Sequence, residues 1–86
     1  MEERKPRTVK EIILQTNELA RQFYAEMGYV ESRKDFMFYA SQHPTERLMW
    51  KFACMAQLEL TETDPDELIG EYEDELEEEL SSEPNN

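Results

Sequence analysis

Few residues in this sequence have the chemistry of a nucleophile or of a proton carrier at neutral pH. Cys54 is the only cysteine and His43 is the only histidine. A thiol nucleophile must ionise and needs a base beside it, whereas Cys54 lies in the apolar run 52–56, surroundings that raise the pKa of a thiol. His43 stands before Pro44, where it fits a helix start. We therefore predict a buried core position for Cys54, a structural position for His43 and no catalytic site.

Carboxylates are abundant, but they do not form a recognisable metal site or acid–base site. Asp64 and Asp66 resemble part of a calcium-binding loop, in which a glycine follows at a fixed position. Here Gly70 falls one position too late, and Leu68 stands where that loop needs a ligand. Pro65 after Asp64 instead indicates a helix start. We predict no metal and no cofactor, and no pair of carboxylates is singled out for acid–base catalysis.

The net charge of −12 is concentrated at one end of the chain. Residues 1–61 contain all nine Lys and Arg together with nine acids, so this part is neutral. Residues 62–86 contain the other twelve acids and no base. Because no basic groove or stripe is present, direct binding to nucleic acid is not expected. A basic surface on a partner protein would complement the charge of residues 62–86.

The length of 86 residues allows one domain, with a helical core at 1–61 and an acidic helix and disordered tail at 62–86. No run reaches the roughly 20 apolar residues that a membrane span needs. The charged start has no apolar region of the kind found in a signal peptide. A single cysteine excludes an intrachain disulfide, which suits a reducing compartment. We therefore expect a cytoplasmic protein with no membrane partner.

The segment 8–27 has the clearest helical pattern. Thr8 and Glu11 match a capping box, in which each side chain binds a backbone N–H of the first turn. Apolar residues follow at three- and four-residue intervals, with Thr16 as a half-polar member, while polar residues that include Asn17 are assigned to the opposite face. Gly28 then stands where a left-handed helix end prefers glycine. The pattern predicts a helix over residues 8–27.

A second, shorter helix is predicted over residues 33–41. Ser32 and Asp35 have the spacing of a weaker capping box. Four bulky apolar residues follow at 36–39, which would also suit a buried strand. Because a lone strand would have nothing to pair with in this chain, we favour a short helix.

The third predicted helix covers residues 44–60. Pro44 at the first helical position and Glu46 in the first turn are a good start signal. Apolar residues then surround most of the helix, with only Arg47, Lys51, Gln57 and Glu59 between them. An apolar stripe this wide cannot be covered by one neighbour. We therefore predict that this helix is central to a bundle or partly buried by a partner chain.

The fourth predicted helix covers residues 65–77 and begins at Asp64 and Pro65. A narrow apolar seam, made of Leu68, Ile69, Tyr72 and Leu76, runs through a segment that is otherwise mostly acidic. We expect the first two turns to dock on the core. Like charges four residues apart destabilise the rest, so the helix is predicted to fray beyond Leu76 and to end in a disordered tail.

Together these patterns predict an all-α fold, a small bundle of three to four helices with a frayed acidic C-terminal tail. The leading functional hypothesis is a non-enzymatic regulator, adaptor or assembly factor that binds a protein with a basic surface. The contact would use apolar and aromatic surface together with the acidic helix, because aromatic anchors dominate interface energetics. The predicted partner-binding residues are Phe38, Tyr39, Trp50, Leu68, Glu71, Tyr72, Glu73, Glu75 and Leu76.

Four alternatives remain open on the sequence. The acidic segment could fold back on the basic residues near the start of its own chain, which are Arg4, Lys5, Arg7 and Lys10. The acids could imitate a row of phosphates, which would make the protein a nucleic-acid mimic that inhibits a basic nucleic-acid-binding protein. The wide apolar stripe of residues 44–60 could instead form a homodimer. An acidic segment can also do no more than keep a small protein soluble and monomeric.

Overall fold

The computed structural model describes residues 7–29 and 36–81 of the chain. This part is all-helical and contains no strand, which confirms the predicted all-α bundle. None of its helices is long and apolar enough to cross a membrane. The elements in chain order are α1 (Val9–Glu26), a first 3₁₀ turn (Phe38–Ala40), α2 (Pro44–Thr61), a second 3₁₀ turn (Pro65–Leu68) and α3 (Ile69–Ser81).

Helix α1 begins and ends as its sequence predicts. The Thr8 hydroxyl accepts a hydrogen bond from the Glu11 N–H at 3.1 Å, and the Glu11 carboxylate accepts one from the Thr8 N–H at 2.9 Å. At the other end, Gly28 has a φ of +94°, a conformation that glycine adopts at little cost. The Tyr29 N–H reaches back to the Tyr24 carbonyl at 3.1 Å, and the two tyrosine rings stack at 4.9 Å. These contacts form a Schellman motif with its usual apolar contact.

The helix predicted over residues 33–41 is not found in the described part of that segment. Residues 36 and 37 are not helical, and only one 3₁₀ turn follows. The side chain of Asn17 on α1 donates to the Phe36 carbonyl at 3.0 Å and accepts from the Phe38 N–H at 2.8 Å. Because α1 satisfies these backbone groups, the segment does not need helical hydrogen bonds of its own. The predicted capping box at Ser32 and Asp35 lies outside the described residues.

Helix α2 begins at the predicted site. The His43 Nδ1 accepts a hydrogen bond from the Thr45 N–H at 3.3 Å, and Pro44 occupies the first helical position. His43 therefore has the structural position expected for it. The helix ends on Glu62, which has a left-handed conformation with a φ of 62°. Nothing in the sequence marks this stop, since glutamate is not favoured in that conformation.

The acidic helix begins as predicted and ends later than predicted. Asp64 accepts a hydrogen bond from the Asp66 N–H at 3.1 Å, and a 3₁₀ turn leads into α3. Helix α3 continues to Ser81, past the predicted end at residue 77. An ion pair at 3.4 Å between Lys10 and Glu79 ties its distal half to α1. The predicted disordered tail beyond residue 81 lies outside the described part of the chain.

The central element of the bundle is α1, not α2 as the sequence suggested. Helix α1 approaches α2, α3 and both 3₁₀ turns, whereas within the described residues no Cα atom of α2 lies within 8 Å of a Cα atom of α3. The two helices are therefore joined mainly through α1 and the turns. The buried apolar core consists of Ile13, Ala20, Tyr24, Phe38, Met49, Trp50, Ala53, Cys54 and Tyr72. Because α2 has no second long neighbour, part of its wide apolar stripe stays uncovered.

Candidate functional site

Three of the predicted binding anchors are core residues. Phe38, Trp50 and Tyr72 are 0%, 3% and 5% exposed. Their rings close the core where the first 3₁₀ turn meets α2 and α3, and the Trp50 indole N–H donates to the Asp66 carboxylate at 3.0 Å. Trp50 and Tyr72 line the floors of surface grooves, but almost none of either residue is exposed. The structure therefore places these three predicted anchors in the core, where side chains of such size contribute to the stability of a small fold. Their role in binding stays a prediction.

The apolar seam of α3 is also used inside the molecule. Leu68, Ile69 and Leu76 are half-buried and pack against the core around Tyr72. This agrees with the expected docking of the first two turns on the core. Leu68 and Leu76, two predicted partner-binding residues, therefore have limited surface to offer a partner.

Tyr39 lies at the edge of the core, between α2 and α3. Its ring is 5.6 Å from that of Trp50 and 6.2 Å from that of Tyr72. Burial, followed by the negative charge of the neighbouring Glu73, raises the pKa of the Tyr39 hydroxyl to about 12. The Tyr39 hydroxyl is consequently neutral at physiological pH. Its neighbour Glu73 lies at the border between the core and the acidic surface of α3.

The outward side of α3 carries a row of carboxylates. Glu71, Asp74 and Glu78 are exposed and follow each other at three- and four-residue intervals, which places them on one side of the helix. We call these three residues the acidic face of α3. Among the other predicted binding acids, Glu73 is exposed on its flank and Glu75 is half-buried. The structure therefore narrows the predicted acidic binding residues to the face of α3 that lies opposite its docked apolar seam.

The charge density along α3 is close to that of duplex DNA. Residues 71–79 contain seven acids. With a rise of about 1.5 Å per residue they span about 13 Å, or one carboxylate per about 1.9 Å of helix axis. Duplex DNA carries one charge per about 1.7 Å of its axis. Lys10 is the one basic residue that forms an ion pair with α3 in the described part of the chain.

A second surface, made of apolar side chains, covers the solvent side of α2. Its members are exposed large apolar residues that lie opposite the buried positions of the helix. We call this set the outer face of α2, and it consists of Leu48, Phe52, Met55 and Leu58. Met55 is 65% exposed and the other three are 43–46% exposed.

No protein-family model, curated protein or solved structure matches this chain. Its function must therefore be inferred from these two surfaces.

The outer face of α2 continues on both sides into shallow grooves. On the α1 side, Phe52 lines an apolar groove with Phe23, Met27 and Met49. On the other side, Met55 and Leu58 line a groove of about 260 Å³ beside the segment that leads into α3. The sequence pointed to α2 as a binding element for its excess of apolar surface, but it did not show which residues would be outside.

The second groove has charges of both signs. Arg47 and Lys51 stand on its α2 side, and Asp64 and Asp66 stand on the opposite side. Arg47 is held in place by donating to the carbonyls of Tyr39 and Ser41 at 3.2 and 3.3 Å. Lys51 is exposed and makes no ion pair within the described residues. The groove can therefore bind a surface that also carries charges of both signs.

Cys54 lines the same groove but is chemically quiet. The residue is only 6% exposed. Burial, together with the nearby carboxylates of Asp66 and Asp64, raises the pKa of the thiol to about 12. A thiol with that pKa is almost entirely protonated at neutral pH and is a poor nucleophile. The buried position predicted for Cys54 is confirmed.

Several buried polar residues were missed by the sequence prediction. Asn17, placed there on the solvent side of α1, is 6% exposed and holds the segment 36–38. Gln57 on α2 donates to the Thr16 hydroxyl on α1 at 3.2 Å. The signal for Asn17 was its position between Ile13 and Ala20 on a helical repeat, which places it close to the buried side. Both residues fix the packing of one element on another.

Proposed function

We propose that this protein is a non-enzymatic regulator or adaptor that binds a partner protein through the acidic face of α3. The partner would present a cluster of Lys and Arg complementary to Glu71, Asp74 and Glu78. The observation that carries the proposal is that α3 is docked by its apolar side, which leaves its carboxylates directed outward. A disordered acidic tail would not hold its charges in such an arrangement.

Docking of α3 lowers the cost of binding. A segment that folds on its partner pays for ordering at that moment, whereas preorganised groups do not pay that cost. The seam residues Ile69, Tyr72 and Leu76 are already packed against the core. A basic partner would therefore meet carboxylates that are fixed in relative position, which favours specific recognition over diffuse attraction.

Repulsion within α3 also favours a cationic partner. Four pairs of acids within α3 lie four residues apart, and each destabilises a helix by about 0.2–0.5 kcal/mol. These pairs are Glu71–Glu75, Glu73–Glu77, Asp74–Glu78 and Glu75–Glu79. A partner that supplies Lys and Arg would relieve about 0.8–2 kcal/mol of repulsion that the free protein carries. Binding and stabilisation of α3 would then be coupled.

A more specific version of this function is mimicry of nucleic acid. It is favoured by the charge density of α3, which has one carboxylate per about 1.9 Å of its axis when the acids on all sides of the helix are counted, close to the charge spacing of a duplex. The partner would then be a protein whose basic groove normally binds DNA or RNA. Under this reading the protein inhibits its partner, since both ligands compete for the same groove.

The proposal is tested with two matched variants of the full chain. One variant neutralises the acidic face. The other is the control and neutralises three exposed acids elsewhere, which are one on α1, one within α2 and one at the residue that ends α2. The first is Glu71→Gln/Asp74→Asn/Glu78→Gln and the second is Glu26→Gln/Glu59→Gln/Glu62→Gln. Both lose the same charge, so a general effect of net charge would appear equally in both. A basic protein purified from the source cells with wild-type chain should be retained by the second variant and lost by the first.

Binding of that purified protein is then measured against salt concentration and in competition with duplex DNA. Steep loss of affinity with salt supports the electrostatic contact. Displacement of the chain by the duplex supports mimicry, whereas simultaneous binding of both ligands supports an adaptor. Equal binding by the wild-type chain and both variants would show that the acidic face is not the contact surface.

A further inference from the structure

A binding role for α3 does not explain why the outer face of α2 exposes apolar side chains. Leu48, Phe52, Met55 and Leu58 are exposed on a chain of only 86 residues. Contiguous apolar surface of this kind commonly marks an interaction site on a small protein. Since these side chains lie on the solvent side of α2, and no described Cα atom of α2 lies within 8 Å of one in α3, this surface is separate from the acidic face.

The groove beside the outer face identifies the kind of partner that fits. Lys51 and Arg47 line one side, and Asp64 and Asp66 line the other. A uniformly basic partner would meet like charge along the first side, and a uniformly acidic partner would meet it along the second. The best complement is a surface with cations on one side, acids on the other and apolar groups between them.

The chain itself has such a surface. In a two-fold pair the same patch on each subunit contacts its own copy. With the axis directed along the groove, the cationic side of each copy faces the acidic side of the other. Each carboxylate still has acceptor capacity for a cation, because Asp64 accepts from one backbone N–H and Asp66 from the Trp50 indole.

The distribution of acids favours the same face. Two chains of charge −12 repel each other, so they can approach only where their acids are few or neutralised. The acidic face belongs to α3 and not to α2, and none of its residues lines the groove. Contact through α2 therefore leaves both acidic faces outside the interface, and the acids it brings in are Asp64 and Asp66 of the groove and Glu59, which is exposed four positions after Met55.

We propose that the outer face of α2, with the adjoining Lys51–Asp66 groove, binds a second copy of this chain. Met55 lies in the middle of the contact, where apolar side chains of the other copy replace the solvent around it. Lys51 of each copy approaches Asp64 and Asp66 of the other. The resulting homodimer displays two acidic α3 faces, one from each subunit.

The test is the molar mass of the wild-type chain over about 1–500 µM, measured by sedimentation equilibrium. We expect a concentration-dependent rise from 10.3 kDa toward twice that mass. Met55→Glu should weaken self-association at least about tenfold, because it brings an unpaired charge into the apolar contact. The matched control is Leu80→Glu, which adds the same charge on α3 at a side chain that is 73% exposed. That control should dimerise like the wild type.

A second variant tests the charge pattern separately. Lys51→Glu would direct three carboxylates at one another in each groove contact, and it should also reduce dimerisation without loss of helix content. A wild-type chain that stays at 10.3 kDa throughout would overturn the proposal. A dimer that persists in both Met55→Glu and Lys51→Glu would overturn it too, since the contact would then lie elsewhere. Partner capture by the acidic face is measured with different variants, so the two proposals fail independently.

Discussion

Asn17 shows how much of this small fold depends on single polar side chains. Its amide donates to the Phe36 carbonyl and accepts from the Phe38 N–H, across about twenty positions of sequence. The two hydrogen bonds fix the segment that brings the Phe38 ring into the core. A buried amide of this kind contributes specificity, because a displaced segment would leave its polar groups without partners.

Replacement of Asn17 by alanine is expected to lower the free energy of unfolding by about 2–3 kcal/mol, because it leaves buried backbone groups without a partner. Urea unfolding followed by far-UV circular dichroism measures the change. Gln22→Ala is the control, since Gln22 is exposed on α1 and should change stability by less than about 0.5 kcal/mol. A loss no larger than that of the control would mean that these hydrogen bonds do not hold the segment.

Cys54 provides a prediction about alkaline pH. Burial raises the pKa of its thiol from 9.0 to about 12. Below pH 9 the thiol is protonated in both the folded and the unfolded chain, so its contribution to stability is complete there. Above pH 9 the unfolded chain ionises first, and stability declines as pH rises toward 12. The Tyr39 hydroxyl, with a pKa raised from 10.0 to about 12, acts in the same direction at higher pH.

Alkylation of Cys54 by iodoacetamide at pH 8 should therefore be at least about tenfold slower in the folded chain than in urea. In parallel, Cys54→Ala should show a smaller loss of stability than the wild type between about pH 8.5 and 10. Fast alkylation of the folded chain, or identical pH dependence of the two proteins, would contradict the burial of the thiol.

At the scale of the elements, the two glycines have opposite functions. Gly28 ends α1 with a positive φ, and Gly70 lies inside α3 with ordinary helical backbone. A methyl group added at either position would meet no atom within 4 Å. The backbone conformation alone therefore decides what a side chain costs at each site.

We expect Gly70→Ala to stabilise the protein by about 0.5–1 kcal/mol, because alanine favours the helix more than glycine. Gly28→Ala should destabilise it by about 1–2 kcal/mol, since a Cβ is disfavoured at positive φ. Thermal unfolding of the two variants beside the wild type gives both signs in one experiment. A loss of stability in Gly70→Ala would argue against a regular helix at the start of α3.

For the whole molecule, α3 is both part of the core and the carrier of the charge. Tyr72 is buried among Tyr39 and the surrounding core, and Pro65 is fully buried. The boundary at residues 61 and 62 is thus a boundary in charge and not a boundary in packing. Removal of the acids by truncation would remove core residues as well.

Deletion of residues 64–86 is accordingly expected to abolish cooperative unfolding and to shift Trp50 fluorescence to the red, because Trp50 loses Asp66 and the cover of the second 3₁₀ turn. The full-length Glu71→Gln/Asp74→Asn/Glu78→Gln variant should remain folded, since those side chains are exposed. Urea unfolding followed by tryptophan fluorescence distinguishes the two. A cooperative transition in the deletion variant would show that residues 1–63 fold on their own.

The sequence by itself determined the features that depend on neighbours three or four positions away. The starts at Thr8, His43 and Asp64 and the end at Gly28 follow from local hydrogen bonds and backbone preference. These interactions form within a few residues of each other, whatever the rest of the chain does. The segregation of charge is a property of the sequence itself, and the apolar seam of α3 indicated that its first turns would dock, although the contacts that dock them are distant in sequence.

Only the tertiary structure decided the path of residues 36–40, the central position of α1 and the side of each apolar stripe that faces water. Asn17 binds Phe38 across 21 positions, and Gln57 binds Thr16 across 41. Periodicity could not show that Phe38, Trp50 and Tyr72 share one core while Phe52 and Met55 stay outside. Burial depends on which elements meet, and a residue's own segment does not contain that information.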